Sequence, residues 1–214
     1  MINRRWLLPL VVVGLLGVGC VGSIVALLLS SRAMVPFDEL IPEDPSFPLD
    51  WSTGEMVASS VDWRISERVS RNAPDAPFGA ASSDTRAWTD GGEASATPRI
   101  SVEVLVYANP VTAWLQYSLF PPERAYRPDW PNFQYHLEDR FPAVWPYSGG
   151  FADQEDVACG LGGPESCQMW FYWARHGQYI LSIEFFAPSR GASTELFALV
   201  VAEFDQYTGI RLLK

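Results

Sequence analysis

Residues 6–30 form an uninterrupted run of 25 positions without a charged side chain, WLLPLVVVGLLGVGCVGSIVALLLS. A helix rises about 1.5 Å per residue, so this run is long enough to cross a hydrocarbon core of about 30 Å. Arg4 and Arg5 precede the run, and only Arg32 follows it before an acidic tract. The positive-inside rule therefore predicts a cytoplasmic N-terminus (residues 1–5), a single transmembrane helix and an extracytoplasmic remainder held at the cell membrane.

Two kinds of processing compete with a retained anchor. A signal peptide would be removed, and residues 31–33 (Ser-Arg-Ala) have the small-x-small pattern of a cleavage site. The apolar core of a signal peptide is usually about 7 to 15 residues long, shorter than this run, so the sequence favours retention. Cys20 offers lipid attachment as the other alternative, but Gly17 occupies the position that usually holds leucine before such a cysteine, and mostly apolar residues follow.

Small residues recur within the predicted transmembrane helix. Gly19 and Ser23 form one small-xxx-small pair, and Gly22 and Ala26 form a second, overlapping pair. Such pairs let another helix approach the backbone closely, which predicts lateral packing into a larger assembly. Glycine is also common in membrane helices in general, so the composition leaves both interpretations open.

The charge balance limits the partners of the chain. There are 15 basic residues against 25 acidic residues, a net charge of −10 at pH 7. Such a field repels phosphate backbones, so we expect no nucleic-acid partner. Residues 31–55 are acidic and proline-rich, which is typical of an extended tether. The apolar side chains of the tether, among them Leu40 and Ile41, predict that it lies against its own domain or against a neighbour.

Residues 56–214 have the patterns of one extracytoplasmic α+β domain. Residues 56–72 fit either a short helix or a strand. Residues 99–108 alternate apolar and polar side chains, as in a half-buried strand. Asn109 and Pro110 then provide an N-cap and a first-turn proline, which predict a short helix after that strand.

The C-terminal part of the domain is predicted to be a hairpin followed by a helix. Two aromatic-rich runs meet at His176-Gly177, where glycine can supply the positive φ of a tight turn. Ser193 is the predicted cap of a helix that extends to about Tyr207, with Gly209 as its stop. The order of elements predicts a small antiparallel sheet with helices on one face.

Residues 121–156 separate the first helix from the hairpin and are rich in both proline and aromatic residues. Proline opposes regular structure, whereas the many aromatic side chains argue against disorder. We interpret this segment as an insertion loop that carries a docking surface for a protein partner. The residues assigned to that surface are Trp130, Phe133, Tyr135, Phe141, Trp145 and Tyr147. The alternative is a self-packed loop that closes one side of the domain's own core.

Cys159 and Cys167 are the two cysteines outside the predicted span. The residues between them include glycines and a proline, which permit a tight loop. Their spacing does not match a C-x-x-C redox pair, and a zinc site would need two further ligands. In an oxidising exterior we therefore predict a structural disulfide between them.

The sequence offers little material for catalysis or cofactor binding. Its two histidines are His136, which lies near Glu138 and Asp139, and His176, which we expect to be a solvated turn residue. Three ligands at 136–139 would need further groups to hold a cation. The sequence also lacks the motifs of a nucleophile elbow, a zinc protease, a P-loop and a dinucleotide-binding fold. We therefore predict no catalytic residue, no metal and no cofactor.

Together these features favour a non-catalytic membrane protein that acts through protein–protein contacts. The outline fits an accessory or stabilising subunit of a larger bacterial membrane complex, such as an electron-transfer complex, whose other subunits would be its partners. The alternative is an extracytoplasmic ligand-binding or sensing domain. An exported hydrolase that uses His136 with an acid is a third, less favoured interpretation.

Overall fold

The computed structural model describes an antiparallel sheet, two helices and parts of the segment before them. The described residues are 22, 25, 35–36, 39–43, 45, 49–50, 55–56, 63–90, 98–119, 147, 150–161, 167–187 and 191–213. The strands are β1 (Leu49–Asp50), β2 (Glu55–Met56), β3 (Trp63–Asn72), β4 (Ser82–Asp90), β5 (Arg99–Val106), β6 (Gln154–Leu161), β7 (Met169–His176) and β8 (Tyr179–Phe186). The α-helices of the domain are α1 (Pro110–Leu119) and α2 (Thr194–Leu212), and a short 3-10 helix spans Pro77–Gly79. The predicted α+β class is confirmed.

Six of these strands form one antiparallel sheet in the order β3-β4-β5-β8-β7-β6, while β1 and β2 pair in a second, two-stranded sheet. The edge strand β3 shows that the ambiguous region 56–72 contains a strand. The other edge strand, β6, was not predicted from the sequence, and it begins inside the region assigned to the insertion loop. Its first three residues, Gln-Glu-Asp, are polar. They hide the apolar alternation by which a strand is recognised.

The predicted hairpin is present as β7 and β8. His176 pairs with Tyr179, so the turn consists of Gly177 and Gln178. Gly177 has a φ of 62°, the left-handed conformation that favours glycine in two-residue turns. We call the end of the sheet that carries this turn the hairpin end.

The two helices pack on opposite faces of the sheet, so the prediction that helices cover one face is wrong. On the first face, Val102 and Val104 of β5 belong to the same core as Phe204 of α2. On the second face, Leu105 of β5 shares a smaller core with Ala113 of α1. The physical reason lies in β7, which is buried at every position and therefore needs cover on both sides. We refer to these two sides as the α2 face and the α1 face.

The start of α1 follows the sequence prediction. The backbone N–H of Thr112 donates to the side-chain Oδ1 of Asn109 at 2.9 Å, so Asn109 caps a helix whose first residue is Pro110. Pro110 fits this position because the first turn of a helix leaves its N–H groups without helical partners.

The C-terminal helix is longer than predicted. Ser193 caps it as expected, accepting the backbone N–H of Leu196 at 3.3 Å. The helix then continues past Gly209 to Leu212, so the expected stop at Gly209 is wrong. Gly209 is buried instead, because the side chain of Phe151 packs directly on its backbone.

We predict that Gly209→Ala destabilises the domain. A Cβ at this position would lie 2.5 Å from the Cβ of Phe151, well inside contact distance. Overpacking of this kind costs about 1–3 kcal/mol, which exceeds the gain of about 1 kcal/mol in helix propensity. Urea unfolding of the full chain in mild detergent, followed by tryptophan fluorescence, measures the change.

A second substitution isolates the cause of this loss. In a Phe151→Gly background both the Cβ and the ring of residue 151 are removed, so Gly209→Ala should then be neutral or stabilising. Destabilisation of equal size in both backgrounds would show that Phe151 is not the reason for glycine at this position.

The predicted transmembrane helix, residues 6–30, lies outside the described residues except for Gly22 and Val25, which are helical and exposed. Within the part of the chain that the structure describes, no helix has the length and apolar character needed to cross a membrane.

Candidate functional site

Part of the predicted tether lies against the domain. Leu40 and Ile41 are completely buried on the α2 face. The hydroxyl of Thr208 on α2 donates to the carbonyl of Leu40 at 2.8 Å. The backbone N–H of Val35 donates to the Tyr179 hydroxyl at 3.1 Å. Of the two expected locations for the tether, these residues therefore occupy the one on their own domain.

A buried arginine on β4 donates a hydrogen bond to the backbone of the tether. The Arg86 side chain is completely buried, and its Nη1 donates to the carbonyl of Ile41 at 2.6 Å. Its Nε donates to Asp84 Oδ2 at 3.2 Å, and Asp84 in turn accepts the hydroxyl of Ser70 at 2.6 Å. A buried charge is tolerated only when it is paired and hydrogen-bonded. The tether carbonyl is thus one of the groups that make a buried arginine possible here.

A histidine–carboxylate pair lies at the hairpin end of the same face. His176 Nε2 is 2.9 Å from Asp205 Oδ1, and both side chains are 1% exposed. His176 Nδ1 is 3.2 Å from the carbonyl of Phe151. The Tyr147 hydroxyl donates to Asp205 Oδ2 at 2.8 Å. The expectation that His176 is a solvated turn residue is therefore wrong, because Asp205 of α2 folds over it.

This arrangement connects the end of β7 to α2. Both ring nitrogens of His176 lie against oxygen atoms of the fold, one from Asp205 and one from Phe151. The ring is 1% exposed, so it has almost no surface that a substrate could reach.

Two tyrosines beside this pair are held in their neutral form. Burial raises the pKa of Tyr147 far above its usual range, and the Asp205 carboxylate adds to the effect. Burial followed by the Asp205 charge also raises the pKa of Tyr172, whose hydroxyl donates to Glu155 at 3.1 Å. Burial in turn raises the pKa of Glu155. Both tyrosines therefore remain hydrogen-bond donors at all physiological pH values.

The α1 face carries a different feature, a pair of glutamates on the two central strands. Glu103 of β5 is paired in register with Ser182, and Glu184 of β8 is paired with Ser101, so the carboxylates are diagonal neighbours. Burial raises the pKa of Glu184 to about 8, and the nearby Glu103 charge contributes to the rise. Burial also raises the pKa of Glu103, against the hydrogen bond from Thr85.

Unpartnered polar atoms occur on the same face. Among the described residues, no hydrogen-bond partner is found for the buried hydroxyls of Ser83 and Tyr107 or for the indole N–H of Trp173. The same holds for the buried amide oxygen of Gln116 on α1. Buried polar groups without partners are uncommon and mark positions where a water or a ligand can bind. Among the described residues, however, no group of three or more His, Cys, Asp or Glu is placed to hold a metal ion.

The raised pKa of Glu184 predicts a stability that depends on pH. A carboxyl whose pKa is about 8 in the folded state and near its ordinary value of 4.5 in the unfolded state stabilises the fold fully below the lower value. That contribution is lost as pH rises toward the higher value, at up to about 1.4 kcal/mol per pH unit. We expect the free energy of unfolding to fall between pH 5 and about 8.

Glu184→Gln should flatten this pH profile, because an amide does not titrate. Exposed Glu39 provides the control, since Glu39→Gln should leave the slope unchanged. Chemical unfolding at a series of pH values measures both. A Glu184→Gln profile as steep as that of the parent would contradict the assignment.

The predicted disulfide is confirmed. Cys159 and Cys167 are bonded, with their Cα atoms 5.9 Å apart. Cys167 also forms an isolated antiparallel bridge with Ala192, just before α2. The bond thus joins β6 to the segment that leads into the C-terminal helix. It is consistent with an extracytoplasmic, oxidising location of the domain.

The other predicted site residues fall partly outside the described part of the chain. Of the docking set, only Tyr147 is described, and it is 8% exposed with its hydroxyl bound to Asp205. At this residue the self-packed alternative agrees with the structure, because Tyr147 is part of the core. The described residues do not include Trp130, Phe133, Tyr135, Phe141, Trp145 and His136, nor Gly19, Ser23 and Ala26 of the helix-packing set. Gly22 is helical, and in the described part of the chain nothing lies within 4 Å of a Cβ placed on it.

Sequence reasoning missed both the His176–Asp205 pair and the glutamate pair. Asp205 had a visible signal, since it lies four residues after Val201 on the apolar side of the last helix. Glu103 was recognised as part of an alternating strand, but its neighbour Glu184 becomes apparent only once the register of β5 and β8 is known. The chain matches no protein-family model, no curated protein and no solved structure.

Proposed function

We propose that the chain is a non-catalytic, single-span membrane protein whose extracytoplasmic domain acts through contacts with other proteins, as an accessory or stabilising subunit of a larger bacterial membrane complex. The observation that carries this proposal is an exposed apolar surface on α1. Leu115 and Leu119 lie one helical turn apart and are 43% and 52% exposed. Exposed leucines in such a pair are typical of a surface that packs on a partner.

Two further features support the proposal. The Cys159–Cys167 disulfide suits a domain on the oxidising side of the membrane. His176 and Asp205, the described pair that most resembles catalytic groups, are sealed in the core and bonded to each other. An electron-transfer complex remains one class of complex that the outline fits.

The experiment is a native gel of the tagged full chain, solubilised from its own membrane in mild detergent, with mass spectrometry of the tagged band. We expect a fixed set of membrane proteins at constant stoichiometry. Changing Leu115 and Leu119 together to serine should remove those proteins from the band, because it removes apolar area from the contact.

Leu199 supplies the matched control, since it is a leucine of similar exposure (40%) on the other helix. Leu199→Ser should leave the band intact. Migration of the parent chain as a free monomer would overturn the proposal, and an intact band in the Leu115/Leu119 variant would exclude α1 as the contact.

A ligand-binding or sensing domain is the second candidate, and the glutamate pair favours it. Glu103 and Glu184 share the α1 face with the unpartnered atoms of Ser83, Tyr107 and Trp173. Such a mixture of carboxyl, hydroxyl and N–H groups could bind a small polar molecule or a cell-wall fragment.

A thermal-shift screen of the full chain against amines, divalent cations and cell-wall fragments tests this candidate. A ligand that binds the folded state raises the melting temperature. We expect the shift to be lost in Glu184→Gln and kept in Glu39→Gln. No shift with any compound would remove the support for this function.

A further inference from the structure

The fastened tether fixes which end of the domain is nearest to the membrane. The predicted span ends at residue 30, and the N–H of Val35 is 3.1 Å from the Tyr179 hydroxyl. Five residue steps of extended chain cover at most about 18 Å. Tyr179 begins β8 immediately after the hairpin turn. The hairpin end must therefore lie close to the lipid surface if the span is retained.

The opposite end of the sheet is well separated from this point. Each strand of the hairpin has eight residues, a length of about 26 Å at the usual rise of about 3.3 Å per residue. By register, the end of β3, the start of β4 and the end of β5 all lie at the hairpin end. The sheet thus has one end near the membrane and one end away from it.

The last turn of α2 lies at the same end as the hairpin. Gly209 packs against Phe151, and the carbonyl of Phe151 is 3.2 Å from His176, the last residue of β7. The start of α2 lies at the far end, since Ala192 just before it binds the indole N–H of Trp170 at 2.8 Å. Trp170 is close to the beginning of β7.

The side chains on this last turn suit a lipid interface. Ile210 and Leu213 are 46% and 56% exposed, three residues apart on one side of the helix. Next to them the Arg211 guanidinium stacks on the ring of Tyr207, 3.2 Å from its centre. Apolar side chains combined with tyrosine and arginine are typical of segments that lie at the headgroup level of a bilayer.

The exposed charges near the hairpin end are of both signs. Arg71 and the partly exposed Arg211 are basic, whereas Asp75, Asp153 and Glu155 are acidic. The contact therefore depends on the apolar side chains of the last turn of α2 rather than on attraction to anionic headgroups.

We propose that the hairpin end of the domain rests on the outer surface of the membrane, with Ile210 and Leu213 in contact with lipid. This inference rests on the proposed function, because it takes the anchor to be retained. It adds an orientation, since the tether then holds the domain against the bilayer with the strand ends at Trp63, Arg99 and Phe186 pointing away from it.

Depth-dependent fluorescence quenching tests this orientation. The full chain, carrying Cys20→Ser to remove the free thiol of the span, is labelled with an NBD fluorophore at Leu213→Cys and placed in phosphatidylcholine/phosphatidylglycerol nanodiscs. The matched control is Leu199→Cys, a leucine on the same helix about 21 Å nearer its start. Near-UV circular dichroism verifies that both variants fold.

We expect blue-shifted emission at position 213, with quenching by doxyl-labelled lipids at least twofold stronger than at position 199. Equal quenching at both positions, in a chain that alkaline carbonate does not extract from membranes, would overturn the orientation and leave the anchor in place. A chain that carbonate extracts would instead show that the anchor of the proposed function is wrong. The two failures are therefore distinguishable.

Discussion

Asp205→Ala should lower the free energy of unfolding of the domain by about 2–6 kcal/mol, because it removes the acceptor shared by two buried hydrogen bonds. Asp205 accepts the hydroxyl of Tyr147 at 2.8 Å and lies 2.9 Å from His176. Without the carboxylate, the Tyr147 hydroxyl and the His176 ring would lose their acceptor in a region from which water is excluded. Each buried donor left without an acceptor costs about 1–3 kcal/mol.

Urea unfolding of the full chain in mild detergent, followed by near-UV circular dichroism, measures this loss. Gln206 is the neighbouring residue on the same helix and is exposed, so Gln206→Ala controls for the loss of a polar side chain. We expect that control to change stability by less than about 0.5 kcal/mol. A loss below about 1 kcal/mol in Asp205→Ala would mean that the pair does not fasten α2 to the hairpin.

The elements that the sequence predicted well are those whose signals are local. The cap at Asn109, the cap at Ser193 and the turn glycine at Gly177 each depend on side chains within a few residues, and all three are present. The disulfide could be predicted for a similar reason, since the sequence has only two cysteines outside the predicted span.

The features that the sequence did not predict depend on contacts between distant parts of the chain. Glycine is the residue type that commonly ends a helix, yet α2 continues through Gly209 because Phe151, from another segment, packs on it. The local sequence places His176 at a turn, where a solvated side chain is expected. In the structure Asp205, 29 residues later in the chain, covers the His176 ring. The placement of α1 and α2 on opposite faces follows from burial of both sides of β7. The continuous apolar run of β7 is typical of a fully buried strand, but it does not indicate which helix covers which face.

The tether joins the predicted and unpredicted parts of the structure. Its acidic, proline-rich composition predicted an extended segment, and its apolar residues predicted contact with some surface. The sequence did not indicate which surface binds the tether. That surface consists of Arg86 on β4, Tyr179 on β8 and Thr208 on α2. These three residues come together only in the folded sheet.

Arg86→Ala should release the tether and destabilise the domain by about 3–5 kcal/mol. The substitution leaves Asp84, 2% exposed, without the guanidinium 3.2 Å away, and it removes the donor to the Ile41 carbonyl. An uncompensated buried carboxylate accounts for most of the expected loss. Because Leu40 and Ile41 are fully buried only while the tether is fastened, we also expect faster cleavage at Glu39 and Glu43 by a glutamate-specific protease.

Arg68 provides the matched control for this substitution. It is the residue opposite Arg86 in the β3–β4 register and pairs with the tether residue Glu43 at 3.6 Å, but its side chain is 46% exposed. A surface pair of this kind contributes about 0–1 kcal/mol, so Arg68→Ala should leave both stability and proteolysis nearly unchanged. Equal effects of the two substitutions would show that the charge of the arginine, rather than its burial beneath Ile41, holds the tether.

A released tether would also let the hairpin end leave the lipid surface, so quenching at position 213 should fall in Arg86→Ala and persist in Arg68→Ala.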